Sequence, residues 1–271
     1  MIVFLKGIAA IGPGFENWHA LKSHFSGTSS LNPDFIPHPQ GNILPGAERR
    51  RASFTVKLAV DVSKESLGQS GMKPEDMALV FASSNGDTNT IHQICEALAT
   101  PERFVSPTRF HNSVHNAPAG YWSIASGSRQ PSSSICAWED SFSAGLVEAA
   151  TQCLTEGIPV LLAAFDSPFP EPLYEKTPGH QPFGVALVLD SNPNGSLASI
   201  TISVDYDARL ATTRMPNQGL ENMRCDSSAS RSLPLLAAFA SSEQKEVVLS
   251  YSSDLRLRIA VDAAAMNHKN P

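Results

Sequence analysis

Side chains that could do chemistry cluster between residues 111 and 140 of this chain. Glu139 and Asp140 are adjacent carboxylates, a residue type that serves as general acid, general base or nucleophile. His111 and His115 are four residues apart, which would place both on one face of a helix, as in helical metal sites. No HExxH motif accompanies them in the sequence, so hydrogen-bonded histidines are the simpler interpretation and no metal site is predicted.

The thiols give no separate chemistry. Cys95, Cys136, Cys153 and Cys225 are widely spaced and form no CxxC pair. This spacing predicts buried, small apolar side chains in a reducing compartment, not a disulfide framework or a zinc site. Strand alternation around Cys136 favours a structural thiol over a reactive one. Ser141 lies in no G-x-S-x-G elbow, and no cofactor motif is present.

Composition excludes several classes of partner. The net charge of −6 argues against nucleic acid or an anionic membrane as the main partner. Only 17% of the 271 residues are charged, against a typical value of about 25%, which favours a large core or a sizeable interface. No apolar run approaches the ~18 residues of a membrane span. The apolar N-terminus is too short for a signal peptide, so a cytoplasmic location is expected.

Hydrophobic patterning predicts alternating strands and helices that would position these groups. The length allows one large or two small domains. Residues 26–51 read as a loop, and residues 183–189 and 198–204 as strands paired with each other. The alternation predicts an α/β fold with helices packed on a mixed sheet. The predicted strands are 2–11, 77–82, 132–137, 159–165, 183–189, 198–204, 247–251 and 255–261, and the predicted helices are 17–25, 53–71, 90–99, 113–125, 141–156 and 232–240.

Several motifs in order resemble the β-ketoacyl synthases of the thiolase-like superfamily. Residues 7–14 (GIAAIGPG) resemble the opening strand and turn of that family, and residues 113–120 (SVHNAPAG) its helix at the dimer interface. Residues 131–142 resemble its strand, which runs into a helix through a tight elbow. The resemblance implies a thiolase-like layered fold. Residues 1–190 would form a ketosynthase N-terminal-like half, and residues 191–271 an abbreviated C-terminal half that completes the same single domain.

Within that family the sequence is similar to the short chain length factors of aryl polyene and related polyketide clusters. The similar segments are 110–116, 139–149 and 232–236. In a synthase the elbow carries the acyl-accepting cysteine. Here Glu139 matches that position, or Asp140 if the alignment shifts by one, and both catalytic histidine motifs are missing; Gly179-His180 matches only the first two letters of one. A buried Glu139 would either stabilise the start of its own helix or plug a vestigial pocket.

The resemblance implies a heterodimer with a catalytic ketosynthase subunit, which would bring an acyl carrier protein to the complex. The strand before the elbow would join the two sheets, and the helix before it would line the partner's acyl tunnel and set the chain length. A minority option gives Arg49, Arg50 and Arg51 a role in docking the acidic carrier protein, instead of a solvated loop. The implied interface and tunnel residues are Arg109, Phe110, Ser113, Val114, Ala117, Tyr121, Ser133, Ser134, Ile135 and Cys136.

Two alternatives remain open at the level of sequence. The first is a stand-alone hydrolase or decarboxylase of acyl thioesters that uses Glu139 and Asp140, or His111 and His115. The second is a homodimeric scaffold without control of chain length.

Overall fold

A computed structural model describes residues 1–176, 179 and 181–263, so His180 of the partial histidine motif lies outside the described residues. The described chain forms one mixed sheet of eight strands in the order β3-β2-β4-β5-β1-β6-β8-β7. Strand β2 is parallel to β3 and β4, and the other neighbours are antiparallel. The strands are β1 Ile2–Ile11, β2 Ala78–Ala82, β3 Ser132–Ile135, β4 Val160–Asp166, β5 Phe183–Asp190, β6 Ala198–Asp205, β7 Lys245–Ser250 and β8 Arg256–Asp262.

Helices cover both faces of this sheet, as the alternating pattern predicts. Helices α3 and α6 lie on one face, and α1, α7 and α9 lie on the other. Within the described ranges no helix is both long and apolar enough to cross a membrane. The helices are α1 Trp18–Phe25, α2 Gly46–Arg51, α3 Phe54–Ser70, α4 Thr88–Ala99, α5 Pro107–Asn112, α6 Ala117–Ser126, α7 Ser141–Glu156, α8 Gln218–Asp226 and α9 Leu233–Ala240.

The continuous apolar runs become strands buried on both faces. In β2, Val80 packs into the core under α7, while Leu79 and Phe81 pack into the core on the side of α3 and α6. Helix α7 approaches the sheet closely at Gly145, where an added Cβ would lie 2.9 Å from the Ala82 Cβ. The residue therefore has to be glycine for the elbow helix to sit on the sheet.

The predicted helix 113–125 starts too early in the sequence. Helix α6 begins at Ala117 and ends at Ser126, and a separate short helix, α5, ends at Asn112. Pro118 at the start of α6 has no N–H, and its ring would clash with the carbonyl of Val114 in a continuous helix. His111 and His115 consequently do not share a helix face.

Two smaller expectations also fail. Strands β5 and β6 do not pair with each other, since β1 lies between them and pairs with both. The long-range order of the strands decides this pairing, and local patterns do not encode that order. Residues 26–51 contain the short helix α2. On α4, Ile91 and Leu98 are 43% and 50% exposed.

Candidate functional site

Strand β3 is an edge of the sheet. It pairs with β2 on one side, and no strand among the described residues pairs with its other side. Its sequence is Ser-Ser-Ser-Ile, without the charged residues or internal proline that usually protect an edge. Ser133 accepts a hydrogen bond at 2.9 Å from the side chain of Gln152 on α7, which fixes the strand against the elbow helix. The outward-facing backbone groups of β3 have no strand partner among the described residues.

The turn from β3 into α7 is strained at one residue. Trp138 has a φ of 51°, a left-handed conformation that is rare for a large side chain. The buried Ser141 hydroxyl accepts from the Ala137 N–H at 3.0 Å and donates to the Trp138 carbonyl at 2.7 Å, and these bonds hold the turn closed. In strand-to-helix elbows of this type the strained residue is the one whose side chain is presented. Here that side chain is an indole, 60% exposed, one residue before Glu139.

Glu139 is exposed, so the expectation that it is buried is wrong. Its Oε2 accepts a hydrogen bond from Arg231 Nη2 at 2.6 Å. The pair links the elbow to the turn that precedes α9. Neither Glu139 nor Asp140 caps α7 with its side chain. An ion pair this exposed contributes about 0–1 kcal/mol, and its structural effect is to orient the carboxylate toward Arg231.

A buried carboxylate behind the elbow, which the sequence did not reveal, links two distant segments. Asp166, at the end of β4, accepts from Ser84 N at 2.9 Å and Ser83 Oγ at 3.1 Å. It also accepts from Ser228 Oγ at 2.6 Å and Ala229 N at 2.9 Å. Burial raises the pKa of Asp166, and these four hydrogen bonds oppose that shift. The one feature of the sequence that marks Asp166 is its position directly after a continuous apolar run.

Asp166 lies beside a cavity of about 200 Å³ at the base of the elbow. Trp138, Glu139 and Arg231 form part of its wall. The described residues that line it include Cys225 but no histidine. The described part of this cavity therefore lacks the thiol–imidazole arrangement that an acyl-transfer centre requires.

The cysteines are more exposed than expected. Cys153 is buried, and burial raises the pKa of its thiol to about 11. Cys136 is exposed because it follows the edge strand, and its Sγ donates to the Ser84 carbonyl at 3.0 Å. Cys95 and Cys225 are also exposed, on α4 and α8.

The two histidines engage different groups. The His111 ring packs edge-on against Tyr121 with the ring centres 5.7 Å apart. His115 Nε2 lies 3.0 Å from the Ser83 carbonyl oxygen. Among the described residues no group of three potential ligands could hold a metal ion. These contacts fit the simpler interpretation of hydrogen-bonded and packed histidines.

The predicted tunnel residues divide into two sets. Ala117 and Tyr121 are buried in this chain's own core, where the Tyr121 hydroxyl donates to Asn112 Oδ1 at 2.9 Å, so they cannot face a partner as expected. Phe110 and Val114 are 67% and 48% exposed because they lie at the break between α5 and α6. Arg109 is exposed and Ser113 is half-buried.

The exposed apolar residues between α4 and the elbow form a surface that we call the apolar belt. Single exposed apolar residues are ordinary, but a concentration of large ones beside an uncovered strand edge marks a protein–protein contact. Helix α4 contacts α5, and α6 contacts β3, so these elements are neighbours in space. The belt consists of Ile91, Leu98, Phe104, Phe110, Val114, Ile124 and Trp138.

Comparisons with known proteins identify the family and the fold of this chain. Residues 18–253 match the family model described as beta-ketoacyl synthase, N-terminal domain. The structure of the ketosynthase ApeO in complex with its chain length factor ApeC, from Xenorhabdus doucetiae, contains a chain with 25% identity and a TM-score of 0.72. The alignment covers 96% of this chain and 99% of that one. A search of curated proteins gives no match.

Two further structures share the fold at lower identity. The ishigamide ketosynthase/chain length factor matches with 11% identity and a TM-score of 0.73, over 97% of this chain and 99% of that chain. A type II polyketide synthase acyl carrier protein in complex with its ketosynthase, AntDE:AntF, matches with 13% identity and a TM-score of 0.71, over the same shares. The thiolase-like α/β fold predicted from the sequence is confirmed.

Proposed function

The chain belongs to the beta-ketoacyl synthase family, and we propose that it is a non-catalytic chain length factor paired with a catalytic ketosynthase. The observation that carries the proposal is the elbow, which presents the Trp138 indole and has Glu139, not a cysteine, at the position that matches the nucleophile. Condensation of acyl units needs a thiolate to carry the growing chain and donors to stabilise the enolate. The described residues of the elbow and its cavity include the thiol of Cys225 but no imidazole beside it.

The partner-binding role is supported by the β3 edge and the apolar belt. Strand addition at β3 would join the sheets of the two subunits and satisfy its unpaired backbone groups. The belt would then be covered by the partner, and Trp138 is the residue type that most often anchors such contacts. An obligate interface of this kind buries on the order of 2,000 Å². A carrier protein would reach the complex through the ketosynthase.

Control of chain length would fall to the exposed residues at the break between α5 and α6. Phe110 and Val114 project from this chain, and a partner docked on β3 would place them against its acyl tunnel. A growing chain that meets a close-packed side chain stops being extended, because protein interiors yield little.

Product length tests this proposal. Phe110→Ala and Val114→Ala, each co-expressed with the ketosynthase, should give longer products by mass spectrometry because the obstruction is removed. The matched control is Tyr206→Ala, which alters an exposed aromatic residue that follows β6, at the far side of the sheet. Unchanged product lengths for both variants would remove these residues from the tunnel wall.

A further inference from the structure

A carboxylate on α7 lies directly behind the open β3 edge. Glu148 Oε1 accepts from Gln152 Nε2 at 2.6 Å and from Ser133 Oγ at 3.5 Å. Ser133 is on β3, and its side chain lies on the face of the sheet that α7 covers, as does Val80 beside it on β2. These hydrogen bonds place Glu148 next to the position where a strand of another chain would add to β3.

The second oxygen of this carboxylate has no partner within the chain. Glu148 is half-buried, and its Oε2 has no hydrogen-bond donor among the described residues. No lysine, arginine or histidine in the described ranges forms an ion pair with it. Oε2 is not fully enclosed, so a cation from outside the chain can reach it. An ion pair formed there would be screened less than one in open solvent.

A second copy of this chain fits the same edge poorly. Two copies joined through β3 across a two-fold axis would pair antiparallel, so Ser133 would lie opposite its own copy or diagonally across from it. Side chains in these positions lie on one face and are about 5–8 Å apart. The two Glu148 carboxylates would then meet at one interface without a cation between them, and like charges at an interface repel. The edge is open, but this charge disfavours self-pairing.

We propose that Glu148 selects the strand that adds to β3, by forming an ion pair with a lysine or arginine of that strand. The cation would lie opposite Ser133 or diagonally across from it, on the α7 face, where a long side chain reaches Oε2. The inference rests on the pairing with a ketosynthase proposed above, and it adds the chemistry of the partner's strand. One carboxylate thereby attracts one partner and repels another, which are the two ways in which an interface gains specificity.

Titrations with the purified ketosynthase test the attraction. Glu148→Gln keeps an acceptor for Gln152 and Ser133 but removes the charge, so it should weaken binding about tenfold at about 50 mM NaCl and less at about 500 mM. Glu148→Lys would face the partner's cation and should weaken binding about a hundredfold or more. The control is Asp254→Asn, which removes one negative charge from the exposed turn between β7 and β8 and should leave binding unchanged.

The possible failures of this experiment have different meanings. Equal affinities of the wild type and both Glu148 variants would refute the ion pair and leave the pairing of the subunits intact. A wild-type chain that does not bind the ketosynthase would refute the pairing itself, and this inference with it.

Self-association of the isolated chain tests the repulsion without the ketosynthase. In sedimentation equilibrium, an equimolar mixture of the wild type and Glu148→Lys should associate at least about tenfold more tightly than either protein alone, because the mixed pair brings opposite charges together. A mixture of the wild type and Asp254→Lys, the matched control, should behave like the wild type. A Glu148→Lys mixture that associates no more tightly than the separate proteins would show that Glu148 does not face the added strand.

Discussion

The two edges of the sheet are built in opposite ways. At β7 the outer edge is covered, since Thr213 N donates to the Val248 carbonyl at 2.8 Å and Val248 N donates to Thr213 Oγ1 at 2.9 Å. The same edge carries Lys245 and Glu246, and Arg258 on β8 pairs with Glu246 at 3.1 Å. Strand β3 has no charged residue and no covering segment among the described residues. One edge is protected against pairing with another chain, and the other is open to it.

The largest effect should come from giving β3 the charges that protect β7. The double variant Ser132→Lys and Ser134→Lys should weaken co-purification with the ketosynthase by roughly a hundredfold or more, because unpaired charges would be desolvated at the new strand pair. The affinity can be measured by titration of the tagged subunits. The control is Lys245→Ser with Glu246→Ser, which should leave partner binding unchanged because Thr213 still covers that edge.

Partner binding at the open edge can also be followed by spectroscopy of the tryptophans. Trp18 and Trp122 are buried, whereas Trp138 is 60% exposed in the belt. With 5-fluorotryptophan in this chain alone, addition of the ketosynthase should shift the fluorine signal of Trp138 and leave the other two in place. Binding without any shift at Trp138 would move the interface away from the elbow.

A smaller but clear effect is expected from Asp166, the buried carboxylate behind the elbow. Asp166→Ala leaves four donors without an acceptor, two of them backbone N–H groups. The free energy of unfolding should fall by about 3 kcal/mol in urea titrations. Asp34→Ala, at an exposed loop position, serves as control and should change it by less than about 0.5 kcal/mol. Equal stability of the two variants would show that Asp166 does not tie the segments together.

The smallest effect concerns pH and lies away from both edges. Burial raises the pKa of Glu65 to about 7, although its hydrogen bond from Trp18 N opposes the shift. A raised folded-state pKa means that the contribution to stability is complete below the ordinary value of 4.5 and is lost as pH rises through about 7. The free energy of unfolding should therefore fall by about 1–2 kcal/mol between about pH 5 and pH 8, allowing for partial exposure.

Glu65→Gln should remove most of this pH dependence, while Glu75→Gln, at an exposed site, should retain it. Partner binding should not follow the same profile, because Glu65 lies on α3 beside α1 and not at β3. A pH profile that is identical in all three proteins would exclude Glu65 as its source.

Local sequence predicts much of the fold but little of the site. The runs that form β1, β2 and β4 are apolar throughout, so their burial follows from composition alone. Pro118 is a signal in the sequence for the break between α5 and α6. The sheet order and the partners of Asp166, which are 62 to 83 residues away, arise from long-range packing that no local pattern encodes.

The elbow shows the same division between local and long-range information. A strand, a tight turn and a helix were predicted at these positions, and the absence of a cysteine from 137–140 is visible in the sequence. The strained φ at Trp138 and the pairing of Glu139 with Arg231, 92 residues away, are visible only in the folded structure. These features determine where the two side chains point. The direction of the Glu139 side chain shows that Glu139 is an exposed carboxylate and not the plug of a buried pocket.

Acyl loading of the co-purified complex tests the central claim most directly. The two subunits are incubated with an acylated carrier protein, and the intact mass of each chain is measured. We expect a 1:1 complex in which the ketosynthase gains the acyl group and this chain keeps its unmodified mass. An acyl adduct on this chain, in the complex or alone, would contradict the account.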